Sequence, residues 1–350
     1  MWGRIGCLGF GGPPTHIRML HEECVTRRRW LDEAEFADAV AACNLLPGPA
    51  STQLSIYCAR RVRGTVGAFV GGVAFIAPGL LVILALAALF LADSPPPWVL
   101  GAGQGAGAAV AAVAVQAGAG LIAPSWARRV SGRRWIAYAI AGALAAAALG
   151  PWLVLVLVAC GGLEVGLRGQ RNNRPGMTAL LPLAWTAFKV GALSYGGGFV
   201  IVPLMQHDAV GTNGWLTNNQ FLNAVALGQI TPGPVTHTVA VVGYGAAGVG
   251  GGLLAALVAF APSFVFVLAG ASRFDRLRAN ATAQAFLGGA GPAVIGAILG
   301  SAIPLARALT EPWQYVVLAY AAVALVLLRR GVVPTLLWCA AAGVVATGLW

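Results

Sequence analysis

Two short segments hold residues whose types and spacing could do chemistry. Pro47-Gly48-Pro49 is flanked by Asn44, Ser51, Thr52 and Gln53, and Pro232-Gly233-Pro234 by Gln229, Thr231, Thr236 and His237. Proline has no N–H and clashes with the preceding helical turn, so two prolines around a glycine end a helix completely. Inside a membrane, such a break is tolerated only where protein buries it or where it lines a wet cavity. Half-helix ends there present unpaired N–H groups and a positive dipole end, which suits an anion. The alternative is a structural kink between loops. Two copies at matching positions favour a substrate site built from these hydroxyl, amide and backbone groups.

Other residues extend that set. Phe10-Gly11-Gly12-Pro13 and Tyr195-Gly196-Gly197-Gly198 would let a helix unwind and expose backbone amides, or would serve close helix contacts. Arg4 and Lys189 precede these two motifs by the same distance, and Lys189 stands in a run otherwise uncharged from Pro175 to His207. A cation within a span is costly and usually functional, so the pair could hold a divalent oxyanion; for Arg4, snorkelling to the interface is the alternative. Asp32, Glu33, Glu35 and Asp38 precede the first break, with Thr217, Asn218, Gln220 and Asn223 at the matching positions before the second. The carboxylates either balance nearby arginines at a solvated helix start or, through Glu35 or Asp38, couple protons. His16, His21 and Cys24 are close in sequence, but no supporting pattern makes them a metal site. Neither metal nor cofactor is expected. Six cysteines without a C-x-x-C pair read as buried free thiols.

The elements that must position these residues are membrane spans. Of 350 residues, 58% are hydrophobic and only 9% are charged, against about 25% charged in a soluble domain. So little charge cannot coat a water-facing surface, which excludes a soluble enzyme, a nucleic-acid-binding module and a disordered chain. The net charge of +11 sits in arginine clusters (Arg27–Arg29, Arg60–Arg63, Arg128–Arg134, Arg168–Arg174, Arg273–Arg278, Arg329–Arg330), each beside an apolar stretch. That is the composition of cytoplasmic loops, and no nucleic-acid partner is expected. No cleavable signal peptide is visible. Uncharged runs at Gly64–Ala92, Ser94–Ala127, Trp135–Leu163, Ala279–Ala306, Pro312–Leu328 and Gly331–Trp350 each predict at least one helix, with a tight pair hinged at Gly150-Pro151. The run Val210–Ser272 must hold more than one element. Most of the 48 glycines read as close helix packing, which replaces hydrophobic drive between helices in lipid.

The two halves match each other. Trp30-Leu31 recurs as Trp215-Leu216, Phe36 as Phe221, and the first Pro-Gly-Pro as the second, all at an offset of 185 residues. One deletion later, Ala77-Pro78 aligns with Ala261-Pro262 and Gly105-Ala106-Gly107 with Gly289-Ala290-Gly291. The chain therefore divides into repeats 1–170 and 171–350. Matching loops carry opposite charge patterns: His16–Glu35 has four arginines where Ile201–Gln220 has no Lys or Arg. The positive-inside rule then places matching loops on opposite sides, an inverted repeat. Phe36–Tyr57 and Phe221–Tyr244 are predicted as re-entrant helical hairpins, leaving about ten crossings in an all-α integral membrane protein. The first helix looks about two turns short, as if the start were misplaced or truncated.

The pattern Phe-Gly-Gly-Pro followed by Leu-Leu-Pro-Gly-Pro, repeated as Tyr-Gly-Gly-Gly and Ile-Thr-Pro-Gly-Pro, resembles the chromate ion transporter family in its two-domain form, over essentially the whole chain. The resemblance implies a multi-pass plasma-membrane carrier that exports chromate by alternating access, driven by the proton gradient, and confers chromate resistance, with sulfate as a competing oxyanion. The chain departs from that pattern in Pro14-Thr15-His16 after the first motif and in the short first helix. The residues alone reach only an inverted-repeat anion carrier; chromate and sulfate share charge and shape. A membrane-embedded enzyme would need a flavin, haem or iron–sulfur site, for which no fingerprint is present; a channel is the third possibility. The expected partners are a chromate- or sulfate-like oxyanion and the lipid bilayer. Oligomeric state is open, a homodimer being one option.

Overall fold

The computed structural model describes residues 1–10, 12–45, 48–92, 94–127, 129–149, 153–169, 201–270 and 280–348. Gly11, Pro47, Lys189, Tyr195, Gly196 and Gly197, the side chain of Asn44, and the hinge Gly150-Pro151 lie outside them.

The described residues are helical, with no strand among them. Among the described residues four helices are long and apolar enough to cross a membrane: Ala50–Phe90, Pro97–Ala127, Val235–Gly270 and Gln284–Arg307, with shorter apolar helices at Pro312–Leu327 and Val332–Gly348. The polarity is inside out. Val66 and Leu81 are 72% and 67% exposed, whereas Ser51, Thr52, Gln53, His16 and His237 are sealed within. Lipid explains both: it solvates the apolar exterior and leaves polar groups no partner except each other.

In the first half, α1 (Trp2–Leu8) and α2 (Pro13–His21) are interrupted at the glycine motif, where Gly12 takes a left-handed φ of 73°. Then α3 (Glu33–Leu45) leads to the first break, and α4 (Ala50–Phe90) leaves it. α4 is two helices. At Arg63 (φ −141°, ψ 31°) and Gly64 (φ 59°, ψ −148°) the backbone leaves the helical region. A Cβ on Gly67 would strike the Ala59 carbonyl and one on Gly71 the Ala59 side chain, so the two arms run antiparallel. α5 (Pro97–Ala108), α6 (Val110–Ala127), α7 (Gly132–Ala148) and α8 (Leu153–Gly169) complete this half.

The second half follows the same local path. α9 (Ile201–Gln206) enters a π-helical turn at His207–Thr212, as α2 enters one at Glu22–Arg27. Arg29 (φ 50°) and Gly214 (φ 61°) end these turns at matching positions. α10 (Asn218–Ile230) is 13 residues long, as α3 is. α11 (Thr238–Gly270) reverses at Ala247 (φ −152°, ψ 34°) and Gly248 (φ 61°, ψ −151°), repeating the α4 dihedrals. At 1.5 Å per residue, 13 residues span about 20 Å, short of the ~30 Å hydrocarbon core. α3 and α10 are therefore too short to cross it alone. α12 (Ala281–Arg307), α13 (Pro312–Ala322) and α14 (Val332–Gly348) follow.

Packing runs crosswise. α5 lies against α14, and α12 lies against α7 and α8. These seams are backbone on backbone: a Cβ at Gly105 would strike the Cys339 carbonyl, at Gly142 that of Ala293, and at Gly300 that of Ala143. Small residues give helices in lipid this close approach.

Candidate functional site

Each break is covered by the proline-kinked helix of the other half. At the first, Gly48 adopts φ 114°, and a Cβ on it would meet Gln53 Nε2 and, 3.0 Å away, Ser263 Oγ. Ser263 follows Pro262 in α11. At the second, Gly233 adopts φ 97°, and a Cβ on Gly79, which follows Pro78 in α4, would strike the Pro232 carbonyl and the His237 ring. Only glycine takes these two left-handed conformations without strain.

The first glycine motif joins them. The Gly9 carbonyl accepts from the Gly233 N–H at 3.1 Å and from His16 Nε2 at 2.8 Å. Because a carbonyl only accepts, Nε2 carries the proton, and the neutral ring leaves Nδ1 as an acceptor. His16 packs edge-on against Phe75 at 5.1 Å, and His237 meets Phe260 at 5.2 Å.

Both breaks launch a helix into the interior. Pro49 precedes α4 and Pro234 precedes the 3-10 turn Val235–His237 that opens α11; neither start has a side-chain cap. The exposed start of α10 is fully capped, Thr217 and Gln220 bonding each other's backbone N–H. Uncapped starts concentrate unpaired N–H groups and positive dipole.

Orphaned side chains gather in the same place. Ser51 Oγ, Thr52 Oγ1, Ser55 Oγ, Ser263 Oγ, Gln229 Nε2, His16 Nδ1 and both His237 nitrogens are buried without a hydrogen bond; Asn219 Oδ1, at the start of α10, is a further case. The Ile76 carbonyl lies near His237 without bonding geometry. Each such atom costs about 1–3 kcal/mol. Concentrated at two matched breaks, the hydroxyls, the Gln229 amide and one N–H of the His237 ring form a set of donors that a tetrahedral oxyanion would satisfy.

The remaining predicted residues divide. Thr236 is buried beside the second break, while the Thr231 hydroxyl is spent on the Leu227 carbonyl at 2.9 Å. Gly12 and Pro49 lie at breaks. Arg4 is exposed on α1. Glu35 accepts from Arg61 and from Tyr57 Oη (3.2 Å), which ties α3 to the first arm of α4; Asp38 is exposed. His21 bonds Glu33 at 2.9 Å and His16 bonds Gly9, so these two histidines face different neighbours; among the described residues no three His, Cys, Asp or Glu side chains converge. Ser55, Ser263, Gly79 and His16 are members the motifs did not single out. The repeat offers a signal for two of them, since Gly79 and Ser263 each follow the matched proline.

Comparison with known proteins gives one consistent result. The chain matches the family described as Chromate transporter over residues 1–164 and 181–347. It is 31% identical over 355 residues to a chromate transport protein of Cupriavidus metallidurans, covering 93% of this chain and 86% of that one. It is 30% identical to a probable chromate transport protein of Synechococcus elongatus (87% and 82% covered) and 30% identical to a chromate transport protein of Pseudomonas aeruginosa (88% and 80%). No solved structure matches. With paired breaks, matched reversals and this similarity over both halves, the chain belongs to the chromate transporter family, whose members are transporters and not enzymes.

Proposed function

We propose that this protein carries chromate across the plasma membrane, holding the dianion between the two breaks and exporting it by alternating access coupled to protons. The observation that carries the reading is the reciprocal cover: each uncapped helix start, with its orphaned hydroxyls, is closed by the kinked helix of the opposite half. A site shared between halves changes its access when the halves move relative to each other.

In this reading Ser51, Thr52, Ser55 and Ser263 donate around the first break, and Gln229 and His237 donate from the second. Gln53 and Thr236 line the same clefts, and Asn44 and Thr231 flank them. Backbone amides of Gly48 and the motifs Gly11-Gly12 and Tyr195-Gly196-Gly197 complete the cradle, Gly233 holds the second break to Gly9, and Lys189 supplies the compensating charge. The exposure of Arg4 supports the interfacial role for it. Of the two acidic candidates, Glu35 is the better placed for coupling, since its partner Arg61 lies on the arm that leaves the first break. The matched 13-residue helices and reversals support re-entrant hairpins within two inverted repeats, 1–170 and 171–350, with about ten crossings.

Radiolabelled chromate uptake into inside-out vesicles, with an imposed pH gradient and sulfate as competitor, tests this. Saturable uptake that collapses with the gradient is expected. Flux that does not saturate, with single-channel currents, would replace the carrier by a channel. Sulfate transported in preference to chromate would move the substrate to the other tetrahedral dianion, to which the hydroxyl set is equally suited.

A further inference from the structure

A second basic feature lies away from the breaks. Two arginine clusters that read as topological signals, around Arg128–Arg134 and at Arg168, send three guanidinium groups to one cavity of about 370 Å³ between the end of α6, the starts of α7 and α12, and the end of α8. Arg129, Arg134 and Arg168 line it with Glu164. Glu164 is only 3% exposed, and its carboxylate is saturated: Arg134 Nη1 donates at 3.1 Å, Tyr138 Oη at 3.0 Å and Arg168 Nε at 2.8 Å. The carboxylate thus splays two guanidinium groups and fixes them, leaving their other N–H groups for a ligand. A Cβ at Gly288 would crowd Arg168 Nη2, so α12 leaves room for that head. Three cations against one carboxylate leave a formal excess of two positive charges.

The rest of the cavity is amphipathic. Leu121, Leu287 and Ile295 make apolar wall. Arg129 stacks 3.9 Å over Trp126, which meets Trp135 edge-on at 5.2 Å. Tryptophans of this kind mark the lipid headgroup level. The helices that carry Tyr138 and Glu164, α7 and α8, also expose Ile140 (54%) and Leu163 (55%), apolar surface open to an acyl chain. Basic pockets between spanning helices on the arginine-rich side suit anionic headgroups.

We infer that this cavity is a binding site for a phosphate oxyanion, carried by an anionic phospholipid of the arginine-rich leaflet. Arg134 and Arg168 bond the phosphate oxygens, Arg129 closes the mouth, and Glu164 positions the two inner arginines. The site is independent of the chromate-binding residues.

Native mass spectrometry of the purified full chain, titrated with phosphatidylglycerol, phosphatidylcholine or inorganic phosphate, tests the assignment. Phosphatidylglycerol should be retained and phosphatidylcholine lost. Each arginine removed should weaken retention about fivefold, from ~1 kcal/mol per cation near the headgroup. Arg129→Gln is the variant to trust, because the Arg129 side chain donates to the Trp126 carbonyl and is not among the hydrogen-bond partners of Glu164; Arg168→Gln should follow it if melting shows it folded. Equal retention of the neutral lipid, or unchanged retention in Arg129→Gln, overturns the site. Displacement of phosphatidylglycerol by inorganic phosphate overturns the lipid as its source.

Discussion

The two hairpins share a backbone and differ in chemistry. Glu33–Leu45 and Asn218–Ile230 have one length, end at breaks with left-handed glycines, and return to reversals with nearly the same dihedrals. Yet the first carries Asp32, Glu33, Glu35 and Asp38 at its entrance and Arg60, Arg61 and Arg63 at its exit, whereas the second has a neutral Thr217 capping box and no Lys or Arg. What is common lies deep: bent backbone, uncapped helix starts, buried hydroxyls. What differs lies at the rim, where ionic pairs answer to the side of the membrane they face. In the proposed function the shared part binds the substrate, while the unshared part orients each hairpin and, at Glu35, serves coupling.

That comparison can be broken hardest at the contact between halves. Gly79→Ser and Ser263→Gly exchange matched residues. Gly79→Ser drives a side chain into the Pro232 carbonyl, an overpacking cost of about 1–3 kcal/mol that should cut chromate flux tenfold or more. Ser263→Gly should cost only a few-fold. Equal effects in vesicle transport would show that the two covers are not reciprocal. Next come the ligating groups. His237→Ala removes two polar atoms where the matched Thr52→Ala removes one, so the KM for chromate should rise more for His237→Ala. A lost bond to a charged ligand, about 1.5–3 kcal/mol, sets the scale at roughly 10- to 100-fold. Unchanged KM in both would remove the breaks from the site.

At the rim, Glu35→Gln should abolish stimulation of uptake by a pH gradient while leaving chromate affinity in place. Its half-exposed pair with Arg61 contributes no more than about 1 kcal/mol to stability, so a folding defect is not expected. Persistent pH-gradient stimulation would exclude Glu35 from coupling. Smallest is Thr217→Ala, which removes the cap from α10 and should lower melting stability by about 1 kcal/mol without altering flux.

Much of this organisation was legible because the sequence repeats it. The offset that carries Trp30-Leu31 onto Trp215-Leu216 also carries α3 onto α10 and one π-helical turn onto the other. The breaks were legible because Pro-Gly-Pro permits no helix. The reversals at Gly64 and Gly248 were harder to see, since both lie in helix-compatible apolar sequence, although their alignment was available. His16 was illegible for another reason: its role depends on a bond back across the glycine motif, to Gly9, that no repeat marks, whereas Ser263 was marked only by its place after the matched proline, not by its contact with Gly48. The arginine clusters read as loop markers, and that reading hid the convergence of three on one cavity.

The crosswise seams have a consequence for biogenesis. The flank of α5 at Gly105 finds its mate only when α14 is inserted, and the α7 surface at Gly142 must wait for α12. Throughout synthesis these bare strips of backbone stay open to neighbouring lipids and helices. A ribosome that stalls before Val332 would release a product with one seam unzipped, and such half-closed bundles are natural prey for membrane proteases.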